Sequence, residues 1–169
     1  MKNIYKLKIV TTLAAMLTIS GCQAAAKYER FVDSLVCGKT SYTIVSQCET
    51  SGDKMTLNEC KPQTLTSQSN GASRSVVLPE LDKRTRKSII DSGGALEDLF
   101  VVAWTCTANK GKQIAMMHYS IGGGSAPYSE AWAAYDGARL LVSSKLPFDR
   151  NDFTSINKTL KKVHSIMPE

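Results

Sequence analysis

The chain has 169 residues, 43% hydrophobic and 21% charged, with 21 Lys and Arg against 15 Asp and Glu. Lys2, Lys6 and Lys8 precede any acid; setting them aside leaves 18 basic against 15 acidic groups, a net of +3 rather than +6. So slight a balance, with no basic run interleaved with aromatics, argues against nucleic acid as a partner.

The three lysines are followed by an apolar run, Ile9 to Ile19, of signal-peptide length and well short of the roughly 20 residues a membrane-spanning helix needs. It ends in Ile19-Ser20-Gly21-Cys22: a branched apolar residue, two small residues and a cysteine. That segment resembles the bacterial lipobox, and residues 1–22 alone carry the resemblance to bacterial lipoproteins; no family is recognised for the rest. The resemblance implies a signal peptide over 1–21, lipidation (palmitate among the acyl chains) at Cys22, a tether over 22–26, and a membrane partner through the anchor. Gln23 stands where an Asp would resemble the inner-membrane retention signal, which points to the periplasmic face of the outer membrane. Cleavage after Ala24-Ala25-Ala26, leaving a soluble periplasmic protein, is the alternative.

Residues 27–169 have the length of one domain. Tyr28, Phe31, Val32 and Leu35 fall at i, i+3, i+4 and i+7, so the spacing predicts a helix over 26–36 ending near Gly38. Thr40 to Gln47 is β-branched and aromatic and predicts a strand. Ser51-Gly52-Asp53-Lys54 reads as a turn, with a returning strand from Lys54 to Cys60. Residues 61–75, rich in Thr, Ser, Gln and Asn, read as an exposed loop, followed by the short apolar stretch Val76-Val77-Leu78. A helix is expected from Pro79 to Ser92, closed by Gly93-Gly94. Four strands follow: Leu99 to Thr107, Gln113 to Ile121, Ser129 to Tyr135 and Arg139 to Ser143. Their short connections imply an antiparallel meander. Past Pro147, Asp149 or Asn151 would cap a last helix, with Phe153, Ile156, Leu160 and Val163 on one side and Lys158, Lys161 and Lys162 on the other. The expected fold class is α+β: an antiparallel sheet with N- and C-terminal helices packed on one face, held by two disulfides.

Cys37, Cys48, Cys60 and Cys106 remain beside Cys22, an even number that in an oxidising compartment reads as two bridges. With the turn centred between Gly52 and Asp53, Cys48 faces Leu57 and Cys60 faces Val45, which puts these cysteines on opposite sides of the sheet. That leaves 37–48 with 60–106, the preferred pairing, or 37–60 with 48–106. An odd-length turn would undo the argument.

Catalytic, metal and cofactor motifs are missing from the sequence. His118, mid-strand, and His164 read as structural or surface histidines, because no local nucleophile and orienting carboxylate accompany them. Gly122-Gly123-Gly124-Ser125 lacks the Lys-Ser/Thr and helix of a phosphate loop. The expectation is therefore no enzyme, no cofactor and no metal, and instead a protein-binding module. Its expected site is Gly122, Gly123, Gly124, Ser125, Tyr128 and Trp132, aromatics beside a glycine loop, with Trp104 assigned to the core. An inhibitor or immunity protein against a secreted or periplasmic wall-attacking enzyme fits that pattern. An accessory subunit of an envelope assembly is the alternative, and a hydrolase using His118 stands behind both.

Overall fold

The computed structural model describes residues 28–49, 60–121, 126–145 and 160–163. The lipobox with Cys22, the turn at 51–54, the glycine run with Ser125 and most of the expected C-terminal helix lie outside the described residues.

Two antiparallel sheets carry the fold, one after the other along the chain. Strands β1 (Tyr28–Cys37), β2 (Thr40–Glu49), β3 (Cys60–Ser69) and β4 (Ala72–Leu78) lie side by side in chain order as sheet 1. Helix α1 (Lys83–Asp91) and a 3₁₀ turn at Leu96–Asp98 lead to β5 (Phe100–Asn109), β6 (Lys112–Ser120), β7 (Glu130–Asp136) and β8 (Arg139–Ser144). These form sheet 2, with β9 (Lys161–Lys162) added at the free edge of β5. The second-half meander agrees with the sequence expectation; the α+β class with terminal helices does not.

Four local corrections make up that difference. The expected helix over 26–36 is β1, paired with β2 from Tyr28↔Glu49 to Cys37↔Thr40. The helical spacing of Tyr28, Phe31, Val32 and Leu35 is coincidental. The same stretch alternates, with Leu35 and Cys37 buried and Val32 and Val36 exposed, and β2 supplies the pairing that selects the strand. The expected loop over 61–75 is a hairpin turning at Asn70-Gly71, both with positive φ (50° and 78°). Asn-Gly is the strongest short hairpin signal, and the polar composition around it concealed the strands. At the other end of the chain, Lys161 and Lys162 pair with Trp104 and Ala103, and Val163 N donates to Val102 O (3.0 Å), so 160–163 is extended where a helix was expected. A free edge on β5 outbids local periodicity there.

The fourth correction is the disulfide pattern. Cys48 joins Cys60 and Cys37 joins Cys106. Beyond an irregularity after Ser46, Cys48 sits directly opposite Cys60, with Cα atoms 3.9 Å apart; the register assumed from the 51–54 turn was wrong. Cys37–Cys106 is the bridge between sheets. Closing loops of 69 and 12 residues, the two bridges restrain the unfolded chain by about 4 and about 3 kcal/mol respectively on a chain-entropy argument.

The inner faces of the sheets make one core. Tyr42, Ile44 and Leu65 from sheet 1 meet Trp104, Met117, Ala133 and Tyr135 from sheet 2, with Leu81 and Ile89 closing one side. Trp104 belongs to it, as expected. Polar links cross the same interface. Gln63, 2% exposed, accepts from Val101 N (2.6 Å) and donates to Val101 O (3.2 Å) and Ser46 Oγ (3.0 Å), so its amide pairs with β5 as a strand residue would. Tyr42 OH donates to Tyr135 O and accepts from Gly137 N. Tyr135 OH donates to Glu80 O (2.9 Å) and lies 2.8 Å from Tyr119 OH. Burial pushes both Tyr119 and Tyr135 well up, which keeps these phenols protonated in their hydrogen bonds.

Candidate functional site

Alternation along a strand sends every second side chain outward, and on sheet 1 that outward face is open among the described residues, most at its edge strands and less at Thr43, Val45, Thr64 and Thr66. Register aligns it in three rows across the four strands: Val32–Val45–Thr64–Val77, Ser34–Thr43–Thr66–Ser75 and Val36–Ser41–Gln68–Ser73. None of these positions is charged. Val36 and Val77 are 65% and 66% exposed and Val32 is 52% exposed, with Tyr28 at the end of β1 equally open. Thr66 Oγ1 and Ser75 Oγ share a hydrogen bond (2.8 Å) across the middle row. The result is a surface of methyls and hydroxyls, with charge beyond it at Arg30 and Glu49 and, past the third row, at Lys39 beside Gln68 and Ser73.

The aromatics expected to form a site are placed otherwise. Trp132 is 1% exposed on the outer face of sheet 2, packed with Met116 and Leu160. Tyr128 is half-buried against the main core. It sits in a turn where Ser129 N and Oγ both donate to Ala126 O. Tyr128 presses on Gly94 so closely that a Cβ there would lie 2.5 Å from the tyrosine Cβ. The pair therefore clamps the turn to the C-terminal end of α1.

His118 stacks on Trp132, with ring centroids 4.3 Å apart and planes 10° from parallel. Its Nε2 faces Glu130 Oε2 at 3.5 Å, an electrostatic contact longer than a well-formed hydrogen bond. Desolvation holds the imidazole pKa below its ordinary value, and Glu130 offsets this only in part. Chemically, this is a carboxylate-oriented, largely neutral imidazole resting on an indole. Among the described residues no group of three or more His, Cys, Asp or Glu is arranged to hold a metal ion.

Sheet 1's outer face was missed from the sequence because three of its four strands were read otherwise, β1 as a helix and β3 with most of β4 as a loop. The Asn70-Gly71 turn was the signal that could have found it. No family model, curated protein or solved structure matches this chain. Both disulfides suit an oxidising, extracytoplasmic compartment, and no helix among the described residues is long and apolar enough to cross a membrane.

Proposed function

We propose that the chain is a protein-binding module of the bacterial envelope, tethered at Cys22. In this reading it captures a secreted or periplasmic enzyme, a wall-attacking one, on the outer face of sheet 1. The observation that carries the reading is the uncharged surface of three aligned rows, exposed on the edge strands and half-exposed at the centre. Strands about 4.8 Å apart, rising about 3.4 Å per residue, give it a footprint of about 400 Å², about half of the roughly 800 Å² each partner buries in a standard interface. A surface without charge asks for a partner patch that is also poor in charge, since an unpaired charge buried against it would be costly. The disulfides and the Gln63 link support the same reading: they hold the face rigid before binding, which lowers the ordering cost of association.

The test is capture from periplasmic and secreted extracts with the disulfide-bonded protein and with a Val32→Lys/Val77→Lys variant, followed by an activity assay of what is captured. The expected outcome is one stoichiometric enzyme, inhibited by the wild type and released by the variant. Equal capture by both proteins would remove sheet 1 as the site. A captured enzyme whose activity is unaffected would remove the inhibitor reading.

A further inference from the structure

The edge of a β-sheet presents unpaired backbone groups to any further strand, and folded proteins guard against this with a small set of devices. Among the described residues the two sheets end on β1, β4, β8 and β9, and all but β4 carry such a guard. On β1 it is Asp33, a half-buried carboxylate on the same inward side as Leu35 and Cys37. At β8 it is Asp82, whose Oδ2 accepts from Ser143 N (3.0 Å) and whose own N–H donates to Ser143 Oγ (2.9 Å). The β9 edge is two residues long, both of them lysine. By contrast β4 runs for seven residues with one charge, Arg74, and no proline, and it pairs with β3 without interruption from Gln63↔Leu78 to Ser69↔Ala72. We propose that two copies of this chain pair through their β4 strands, antiparallel, about a two-fold axis at Ser75.

Hydrogen-bond direction sets the register. Asn70-Gly71 is a two-residue turn, so the flanking Ser69 and Ala72 form a hydrogen-bonded pair. Alternation then points the N–H and C=O of Arg74, Val76 and Leu78 toward β3, and those of Ser73, Ser75 and Val77 toward the open edge. No described strand lies beyond them. With Ser75 opposite Ser75 of the second copy, Ser73 meets Val77 of the second copy, and each of these pairs can exchange both of its backbone hydrogen bonds. All seven residues of β4 are then paired, and Arg74 lies opposite Val76 of the second copy. A slip of two residues one way would set Arg74 against Arg74 of the second copy, which like charge opposes. The same slip the other way would leave Ala72 and Ser73 without partners.

The seam also preserves the character of the outer face. The outward side chains it brings together are Ser73, Ser75 and Val77, none charged. The row Val32–Val45–Thr64–Val77 continues into Ser73–Gln68–Ser41–Val36 of the second copy, and the footprint of about 400 Å² becomes about 800 Å², that of one partner in a standard interface. Because the pairing uses the unguarded edge of both copies, it closes at a dimer. The dimer stands on the edge itself; only its use as a doubled face rests on the protein-binding reading.

The experiment is sedimentation equilibrium of the full disulfide-bonded chain at concentrations up to about 1 mM. The wild type should show a monomer–dimer equilibrium. Ser75→Pro removes an N–H that points away from β3, a place where an edge strand accepts proline, and should weaken the dimer roughly 10- to 100-fold, the range for two lost hydrogen bonds. Ser75→Lys and Ser75→Glu each set like charges across the two-fold axis and should dimerise about 5-fold more weakly alone, while an equal mixture of the two should recover the wild-type level. Val32→Lys, on the same face but at the far edge, should dimerise as the wild type does, and melting temperatures check the fold of every variant. A wild type that stays monomeric, Ser75→Pro dimerising at full strength, a mixture no better than its two components, or loss of the dimer in Val32→Lys would each overturn the proposal. A dimer that captures no enzyme would remove the doubled-face use and leave the β4 pairing, whereas capture by a monomer would remove the pairing and leave the protein-binding reading.

Discussion

The two sheets share a plan, four antiparallel strands joined in chain order, to which sheet 2 adds β9, yet they treat their outer faces in opposite ways. In sheet 2 the central strands are buried on both sides: Ile114 to Met117 on β6 and Ala131 to Tyr135 on β7 are continuous buried runs. In sheet 1 the strands alternate, and the outward half is exposed or half-exposed methyl and hydroxyl. Sheet 2 is therefore the structural half and sheet 1 the half with a surface to offer. Polar residues are used differently as well. On sheet 1 they point mostly outward, and the buried Gln63 is hydrogen-bonded both to Val101 on the opposite sheet and to Ser46 on its own.

That contrast can be broken or sharpened by substitution and thermal or denaturant unfolding. The largest effect is expected at Trp132→Ala, which empties the covered face of sheet 2 and should cost about 4 kcal/mol. A loss below about 1 kcal/mol would mean that this face is not a true second core. Next is Gln63→Ala. It leaves Val101 N–H, Val101 C=O and Ser46 Oγ unsatisfied between the sheets, and should cost about 3 kcal/mol.

A smaller effect should come from pH. The folded-state pKa of His118 lies below its unfolded value, so protonation favours unfolding. Its full contribution to stability is present above the unfolded value near 6.5, and is lost as pH falls from there through the lower folded value. Melting temperature should decline across that window in the wild type and decline less in His118→Gln. Identical pH profiles would show that burial of the imidazole costs nothing. Smallest of all should be Val77→Thr on the open face of sheet 1, expected to change stability by less than about 0.5 kcal/mol. A loss matching the core substitutions would mean that the face is covered in the free protein.

Where the sequence could be read, it was read through period and turn chemistry. The four strands of sheet 2 and the position of α1 were legible because long apolar runs, Asp136-Gly137 and Gly93-Gly94 punctuate them. On sheet 1, β1 satisfied a helical template with four residues, and β3 carries a single large apolar residue, Leu65, among polar ones. Composition could not reveal it, because the burial of Gln63 and Ser67 depends on partners distant in sequence. The expected aromatic site fared similarly. Trp132 and Tyr128 look like recognition residues in isolation, but one lies under a covered sheet face and the other holds a turn against Gly94.

By itself, then, the sequence determined the properties that depend on composition and near neighbours. These are the modest net charge, the even set of cysteines past Cys22, the meander of β5 to β8 and the helix between the two halves. Tertiary structure alone decided which cysteines meet, that residues 28–37 are a strand, that the chain at 160–163 adds to the edge of β5, and which sheet face is left open. The reason is the same in each case. Strand pairing and burial are settled by partners tens of residues away, and a hydrogen-bonding edge or a facing sheet is worth more than the weak local preference it overrides.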